Sequence, residues 1–278
     1  MIKLIAIDLD GTLLNDKKQI SERNKQALAQ AKSMGVKIVI CTGRPLKAIE
    51  GFLEELNLLE SGDYSITFNG GLVQKNDTGE IIEQTVMEQN DIRTLHQVAE
   101  KMDLPLDVLS EGTVLQFPTS QTNPSIYSQL NKLLDFQPAV MKEVNDSTIY
   151  NKAVIAIDQE ILDPKIAEIP KIYYDQYEII KTRNNLLEFM PKGITKGYGI
   201  SLLAKDLGIE RHEIMGIGDE ENDLPMIEYV GMGVAMANAI PLVRDAADYV
   251  TATNEEDGVA QAIEQFVLHE KEGFDGIL

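Results

Sequence analysis

Asp8 and Asp10, followed by Gly11 and Thr12, close the apolar run Ile2 to Ile7. Side chains two apart on an extended segment point the same way, so both carboxyls fall on one side. A second acidic cluster, Gly218-Asp219-Glu220-Glu221-Asn222-Asp223, lies far along the chain. If Asp8, Asp10, Asp219 and Asp223 meet, they repel one another and their pKa values rise. A hard divalent cation relieves that conflict, and carboxylate oxygens with retained waters suit Mg²⁺. Other ligand types are missing: His96, His212 and His269 are scattered, and Cys41 is the single cysteine. An EF-hand is excluded because Gly11 stands fourth from Asp8 rather than sixth. Thr42 offers a hydroxyl, the amides of Gly43 and Arg44 follow it at a helix start, and Lys196 opens another helix. Those donors are what a phosphate dianion needs to enter so acidic a rim.

The elements that must carry these groups are legible as alternating apolar runs and amphipathic stretches. Ile2 to Ile7, Val36 to Cys41 and Ser65 to Phe68 read as buried strands. Ser21 caps a helix to Met34 that stops at Gly35, and Pro45 fits the first turn of a helix reaching about Leu56. The rhythm resumes with a helix over Lys196 to Leu207, a strand over Ile214 to Ile217 and a short helix over Asn222 to Glu228. A strand over Gly231 to Ala235, a helix over Ala239 to Ala246, a strand over Asp248 to Val250 and a helix over Glu256 to Val267 complete it. Strand and helix alternating in this way imply an α/β fold with a parallel sheet. Each polar cluster follows a strand, at the carboxyl rim where open α/β sheets bind ligands.

From 84 to 185 the pattern changes to β-rich pieces, Lys152 to Ile157 and Tyr177 to Thr182. Helices are expected over Gln89 to Met102 and Ser125 to Leu134. This stretch reads as an inserted α+β domain, leaving 1–83 and 186–278 as the core. The chain has 278 residues with 25 Lys plus Arg against 45 Asp plus Glu, a net charge of −20. Such a surface argues against nucleic acid and against anionic membranes as partners. No apolar run approaches a membrane span or a signal-peptide core, so a cytoplasmic location is expected. Nothing in the sequence fixes an oligomeric state.

Asp8-x-Asp10-Gly11-Thr12 with Leu13-Leu14, then Thr42-Gly43-Arg44-Pro45, then Lys196-Gly197, then Gly218-Asp219-x-x-Asn222-Asp223 resemble the four motifs of the haloacid dehalogenase superfamily. They occur in the family's order and span nearly the whole chain. The insert falls between the second and third motifs, which resembles the Cof-type phosphatases with a C2 cap. The resemblance implies a Rossmann-like core and a Mg²⁺-dependent phosphatase acting on small phosphorylated metabolites, sugar phosphates first, with the cap closing over the rim. It implies Asp8 as nucleophile and metal ligand, and Asp10 as general acid and base with its backbone carbonyl on the metal. Thr42 and Lys196 hold the phosphoryl group, with Gly43 and Arg44 beside them. Asp219 and Asp223 bind the metal, and Asn222 orients the acidic loop or contacts phosphate. Crowding by acids is expected to keep Asp10 protonated when it must donate.

Two other functions fit parts of this pattern. A sugar phosphomutase shields the same phosphorylated aspartate and returns the group to a sugar. A receiver-like signalling module also phosphorylates an aspartate, but lacks both the large insert and the acid two residues on. Gly231-Met232-Gly233 begins like a dinucleotide fingerprint, yet Met236 stands at its sixth position, which excludes it. Asn69-Gly70-Gly71 reads as a turn or as amides near the leaving group, Tyr173 to Tyr177 as strand packing, and Cys41 as a buried small apolar residue.

Overall fold

The structure, a computed structural model, describes residues 1–268. His269 lies outside the described residues. The first stretch gives strand β1 (Leu4–Ile7), helix α1 (Glu22–Ser33), β2 (Lys37–Cys41), α2 (Glu50–Glu55), β3 (Tyr64–Thr67), β4 (Leu72–Lys75) and β5 (Ile81–Gln84). The inserted stretch gives α3 (Gln89–Met102), β6 (Leu106–Ser110), β7 (Thr113–Phe117), α4 (Tyr127–Leu130), β8 (Asp135–Pro138), β9 (Lys152–Ala156), α5 (Gln159–Glu168), α6 (Lys171–Gln176), β10 (Tyr177–Arg183) and β11 (Leu186–Pro191). The last gives α7 (Lys196–Leu207), β12 (Ile214–Gly218), α8 (Leu224–Tyr229), β13 (Met232–Ala235), α9 (Pro241–Ala246), β14 (Tyr249–Val250) and α10 (Gly258–Ile263).

The chain divides into two compact units, one of Met1–Arg44, Glu50–Glu83 and Thr195 onward, the other of Pro45–Ile49 and Gln84–Ile194. The first unit is built on a sheet ordered β14-β13-β12-β1-β2-β3-β4-β5, in which β14 through β3 run parallel. β1 lies near the middle and is buried on both faces, which is why it reads as an unbroken apolar run rather than an alternation. One face packs Leu4, Ala6, Val39 and Ile66 against Ile200 and Leu203 of α7 and Met226 of α8. Ser21 caps α1 as expected, accepting from the Asn24 N–H at 3.1 Å.

The second unit is a six-stranded sheet ordered β10-β11-β9-β6-β7-β8, antiparallel apart from the β7–β8 pair. Ile92, Leu95 and Val98 of α3 and Leu162 of α5 share one core with Leu106, Val108, Ala153, Ile155 and Phe189. The alternate sheet positions carry Asp107, Lys152 and Glu188, all buried.

Four boundaries differ from the sequence reading. The second unit runs to Ile194, beyond 185, because β11 pairs with both β9 and β10. The helix expected over Ser125 to Leu134 shrinks to Tyr127–Leu130, since Asp135–Pro138 is drawn into a strand beside β7. Tertiary pairing overrides a weak local helix preference there. The helix expected from Pro45 breaks into a single turn, Leu46–Ala48, and then α2; Pro45 itself is extended, with ψ of 158°. The last helix starts at Gly258 and passes into a wider π turn over Glu264–Leu268.

Candidate active site

Ile7 pairs with Ile217 on one side and Ile40 on the other, so the chain leaves all three strands level. Asp8, Thr42 and the Gly218-Asp219 pair therefore meet at one rim, and the Asp8 N–H donates to the Ile217 carbonyl at 3.0 Å. Lys196 reaches them from the first residue of α7, whose cap Thr195 accepts from the Tyr198 N–H at 3.2 Å. A lysine at a helix N-terminus opposes the helix dipole, so the helix gains nothing from it there. Its ammonium is fully buried, 2.5 Å from Asp8 Oδ1 and 2.6 Å from Asp223 Oδ1. This lysine is no solvated surface charge.

Asp223 turns its second oxygen to the backbone of its own loop, accepting from the Asp219 N–H at 2.9 Å and the Glu220 N–H at 3.0 Å. Asp219 accepts from the Thr12 hydroxyl at 2.7 Å. One carboxylate oxygen from each of Asp8, Asp219 and Asp223 lies within 4.8 Å of the others, and all three residues are buried. Burial, and then repulsion from Asp223 against the pull of Lys196, pushes the Asp8 pKa up to about 7. Burial, and then Asp8 and Asp223, pushes that of Asp219 up to about 9. The two carboxylates move the Lys196 pKa the other way from its burial, and upward overall.

When all three are ionised, three carboxylates against one ammonium leave two negative charges (3 − 1) in a buried cluster of hard oxygens. A divalent cation cancels that charge, and an all-oxygen donor set suits a hard one. The residues present therefore fit a metal ion. His96 lies on α3 and His212 in the turn before β12, and neither belongs to this group.

Asp10 is not part of it either. Arg44 grips its carboxylate with two parallel bonds, Nε to Oδ2 at 2.8 Å and Nη2 to Oδ1 at 2.7 Å, and Lys18 adds a third at 2.8 Å. The Asp10 side chain bonds two cations while still repelling Asp8, so crowding alone does not explain how it would hold a proton. Arg44, which the sequence leaves open between reaching substrate and a structural pairing, is turned onto Asp10, its guanidinium 5.9 Å from the centre of the Phe52 ring.

The remaining expected residues cluster at the ends of β2 and β3. Thr42 is buried, and its hydroxyl accepts from the Arg44 N–H at 3.2 Å. Asn222 donates to Asn69 Oδ1 at 3.1 Å, and a Cβ on Gly43 would come within 3.0 Å of that same oxygen. Asn69 thus joins the β2 end to the acidic loop. Phe68, Asn69 and Gly70 are left-handed in succession, with φ of 50°, 54° and 102°. For a bulky residue such as Phe68 this conformation costs about 1–3 kcal/mol. A Cβ on Gly70 would stand 2.0 Å from the Thr195 carbonyl oxygen, so this turn sets how closely the start of α7 approaches.

Sequence reasoning gave no role to Thr12, Lys18 or Asn238, whose amide donates to the Gly11 carbonyl at 2.8 Å. Thr12 lies within the first motif and was open to discovery. Lys18 and Asn238 carried no local signal, because their partners are set by loop folding.

The charge balance makes a testable claim about pH. Asp8 and Asp219 bind protons more tightly folded than unfolded, so their contribution to stability is full below about pH 4 and lost as pH rises toward 9. The melting temperature of metal-free protein is expected to fall from pH 5 to pH 9. A divalent cation should restore it most at the alkaline end, where the carboxylates are free to bind it. Calorimetric scans with and without chelator check this; a flat metal-free profile contradicts the burial argument.

A family model described as haloacid dehalogenase-like hydrolase matches residues 5–263, nearly all of the chain. The chain belongs to the haloacid dehalogenase-like hydrolases. It is 38% identical over 268 residues to YxeH of Bacillus subtilis, covering 96% of this chain and 99% of that one. It is 32% identical over 269 residues to the 5-amino-6-(5-phospho-D-ribitylamino)uracil phosphatase YcsE of the same organism, covering 96% of each. Among solved structures, the subclass IIB sugar phosphatase BT4131 superposes with a TM-score of 0.80 at 28% identity, covering 95% of this hydrolase and 98% of that chain. The α/β fold with a Rossmann-like core is the fold of these relatives. Among the described residues of this hydrolase, no helix is long and apolar enough to cross a membrane.

Proposed function

We propose that this hydrolase is a Mg²⁺-dependent phosphatase of small phosphorylated metabolites, sugar phosphates foremost, working in the cytoplasm without nucleic-acid or membrane partners. The observation that carries the reading is the buried Asp8–Lys196–Asp223 arrangement with Asp219, three carboxylates that can ionise together only if a further cation joins Lys196 at the sheet rim. Asp8, Asp219 and Asp223 would hold the metal, with the Asp10 backbone carbonyl, and the ion would supply charge neutralisation for the transferring phosphoryl group. The names of YcsE and BT4131 support a phosphate ester as substrate.

In this reading the free oxygen of Asp8 attacks phosphorus, and the bond to the leaving oxygen breaks as an aspartyl-phosphate forms. Asp10 gives the leaving oxygen its proton. It then takes one from water, whose oxygen attacks phosphorus and returns Asp8 as a carboxylate with release of inorganic phosphate. Lys196 offsets the charge on Asp8, while Thr42, with the amides of Gly43 and Arg44, receives the equatorial oxygens. Asn222 orients the acidic loop through Asn69.

Arg44 acts on Asp10 rather than on substrate. The Arg44 and Lys18 bonds take three of the roughly four acceptor positions on Asp10 and fix its orientation, leaving about one at which it can carry a proton to the leaving group. Arg44→Ala is expected to lower kcat roughly 10- to 100-fold on alkyl phosphates, a part of the general-acid contribution. With an aryl phosphate such as p-nitrophenyl phosphate, whose leaving group needs no proton, the loss should nearly vanish. An equal loss on both esters assigns Arg44 to phosphate binding instead. The whole reading is tested by phosphate release from a panel of phosphorylated metabolites with Mg²⁺ and after chelation. Turnover that survives complete chelation excludes the metal, and interconversion without phosphate release identifies a mutase.

A further inference from the structure

The second unit holds a cavity of about 470 Å³, lined by residues between Pro105 and Val140. Its size is that of a small-molecule site. Asp107 on β6 and Gln116 on β7, paired across the two strands, both line it, and Ser125 stands beside them. Pro105, Pro118, Pro124 and Pro138 form much of its wall. Their fixed φ angles hold that wall in shape before any ligand arrives. The segment after Pro118 is also tied down, since Asp103 accepts from Ser120 Oγ at 2.8 Å, from Asn123 Nδ2 at 3.3 Å and from the Thr122 hydroxyl.

Asp107 is the odd member of this wall. It is 1% exposed, and its bonds come from two neutral donors, Gln116 Nε2 at 3.1 Å and the Ser125 hydroxyl. Among the described residues no lysine, arginine or histidine forms an ion pair with it. Buried charges are ordinarily paired, because an unpaired one is costly to desolvate. An asparagine would accept at only one of these two positions, so the two donors call for a carboxylate, which brings a buried charge with it. A carboxylate has about four acceptor positions, so roughly two remain beyond these two bonds, on a residue that lines the cavity. Burial pushes the Asp107 pKa above the ordinary carboxylate range, a penalty that a cationic partner would relieve. A metal ion requires several converging oxygens, and one carboxylate already bearing two donors is a poor start. An ammonium needs only acceptors, and Phe117 and Val140 offer apolar surface for a short hydrocarbon body.

We propose that the cavity at Asp107 binds a small primary ammonium compound, with the ammonium on the carboxylate and the carbon chain along the proline wall. The site is independent of the phosphatase reading, since no residue assigned to that chemistry lines it. The probes are n-butylammonium chloride and the neutral n-butanol, titrated into the full-length protein and followed by backbone amide NMR shifts. The expected result is saturable shifts confined to residues near 105–140, with the alcohol at least tenfold weaker. Asp107→Asn should weaken the amine at least tenfold and leave phosphate release unchanged. Equal binding of amine and alcohol, no saturation by the amine in the millimolar range, or unchanged affinity in a folded Asp107→Asn overturns the proposal. The amine–alcohol comparison on the unaltered protein decides the matter even if the variant fails to fold.

Discussion

Asp8→Asn is expected to lose turnover by on the order of 10⁴-fold or more while the folded protein becomes more stable. The two effects share one cause. An amide cannot attack phosphorus as a carboxylate does, so the covalent route closes whatever the leaving group. The native carboxylate is also an expensive resident: it is buried, faces Asp223, and is held by Lys196 at 2.5 Å only in part compensation. Replacing it with a neutral isostere removes one of three like charges from the cluster. The metal-free variant should therefore melt higher than the native protein at pH 8 and show little gain at pH 5, where Asp8 is largely protonated. Phosphate-release assays and calorimetry at both pH values read the two effects separately. A variant that keeps turnover refutes the nucleophile, and one that loses turnover together with stability points to a structural role for Asp8.

Lys196→Met should be the most damaging change to folding in this site, and costly to turnover as well. Methionine nearly matches the buried stem of lysine, so the loss isolates the ammonium. Without it, Asp8 and Asp223 lose their shared cation at 2.5 and 2.6 Å and stay buried beside Asp219. Breaking a buried pair in this way typically costs about 3–5 kcal/mol. The cost should be largest near neutral pH without metal and smaller in acid, where the carboxylates take up protons instead. Bound Mg²⁺ should recover part of the stability by supplying the missing positive charge. Turnover should remain roughly 10³-fold down even then, because the metal cannot stand where the ammonium neutralises Asp8 during attack. Urea unfolding at pH 5 and pH 8, with and without Mg²⁺, provides the check; equal losses in all four conditions would mean that packing rather than charge is at stake.

The strands that carry the site were legible because each is an apolar run stopped by a polar residue, and the core packs β1 on both faces as such a run requires. The acidic pairs were legible because their spacing is short. Asn69 was harder to read: its side chain acts on Gly43 and Asn222 through a left-handed turn that a local pattern of Asn and Gly does not distinguish from an ordinary one. The surroundings of Asp10 were only half legible for a related reason. Counting acids anticipates its repulsion with Asp8, but only the folded chain brings Lys18 and Arg44 onto that carboxylate.

By itself the sequence determined the α/β order of the elements, the strand ends at which chemistry is possible, and membership in the hydrolase family. These follow from local patterns, since apolar periodicity and short motifs survive in one dimension. Only the tertiary structure decided who neutralises whom: Lys196 between Asp8 and Asp223, Arg44 on Asp10, and Asp107 with no ion pair among the described residues. Coulomb and desolvation energies depend on distance through space and on burial, and neither quantity is written in the order of the residues.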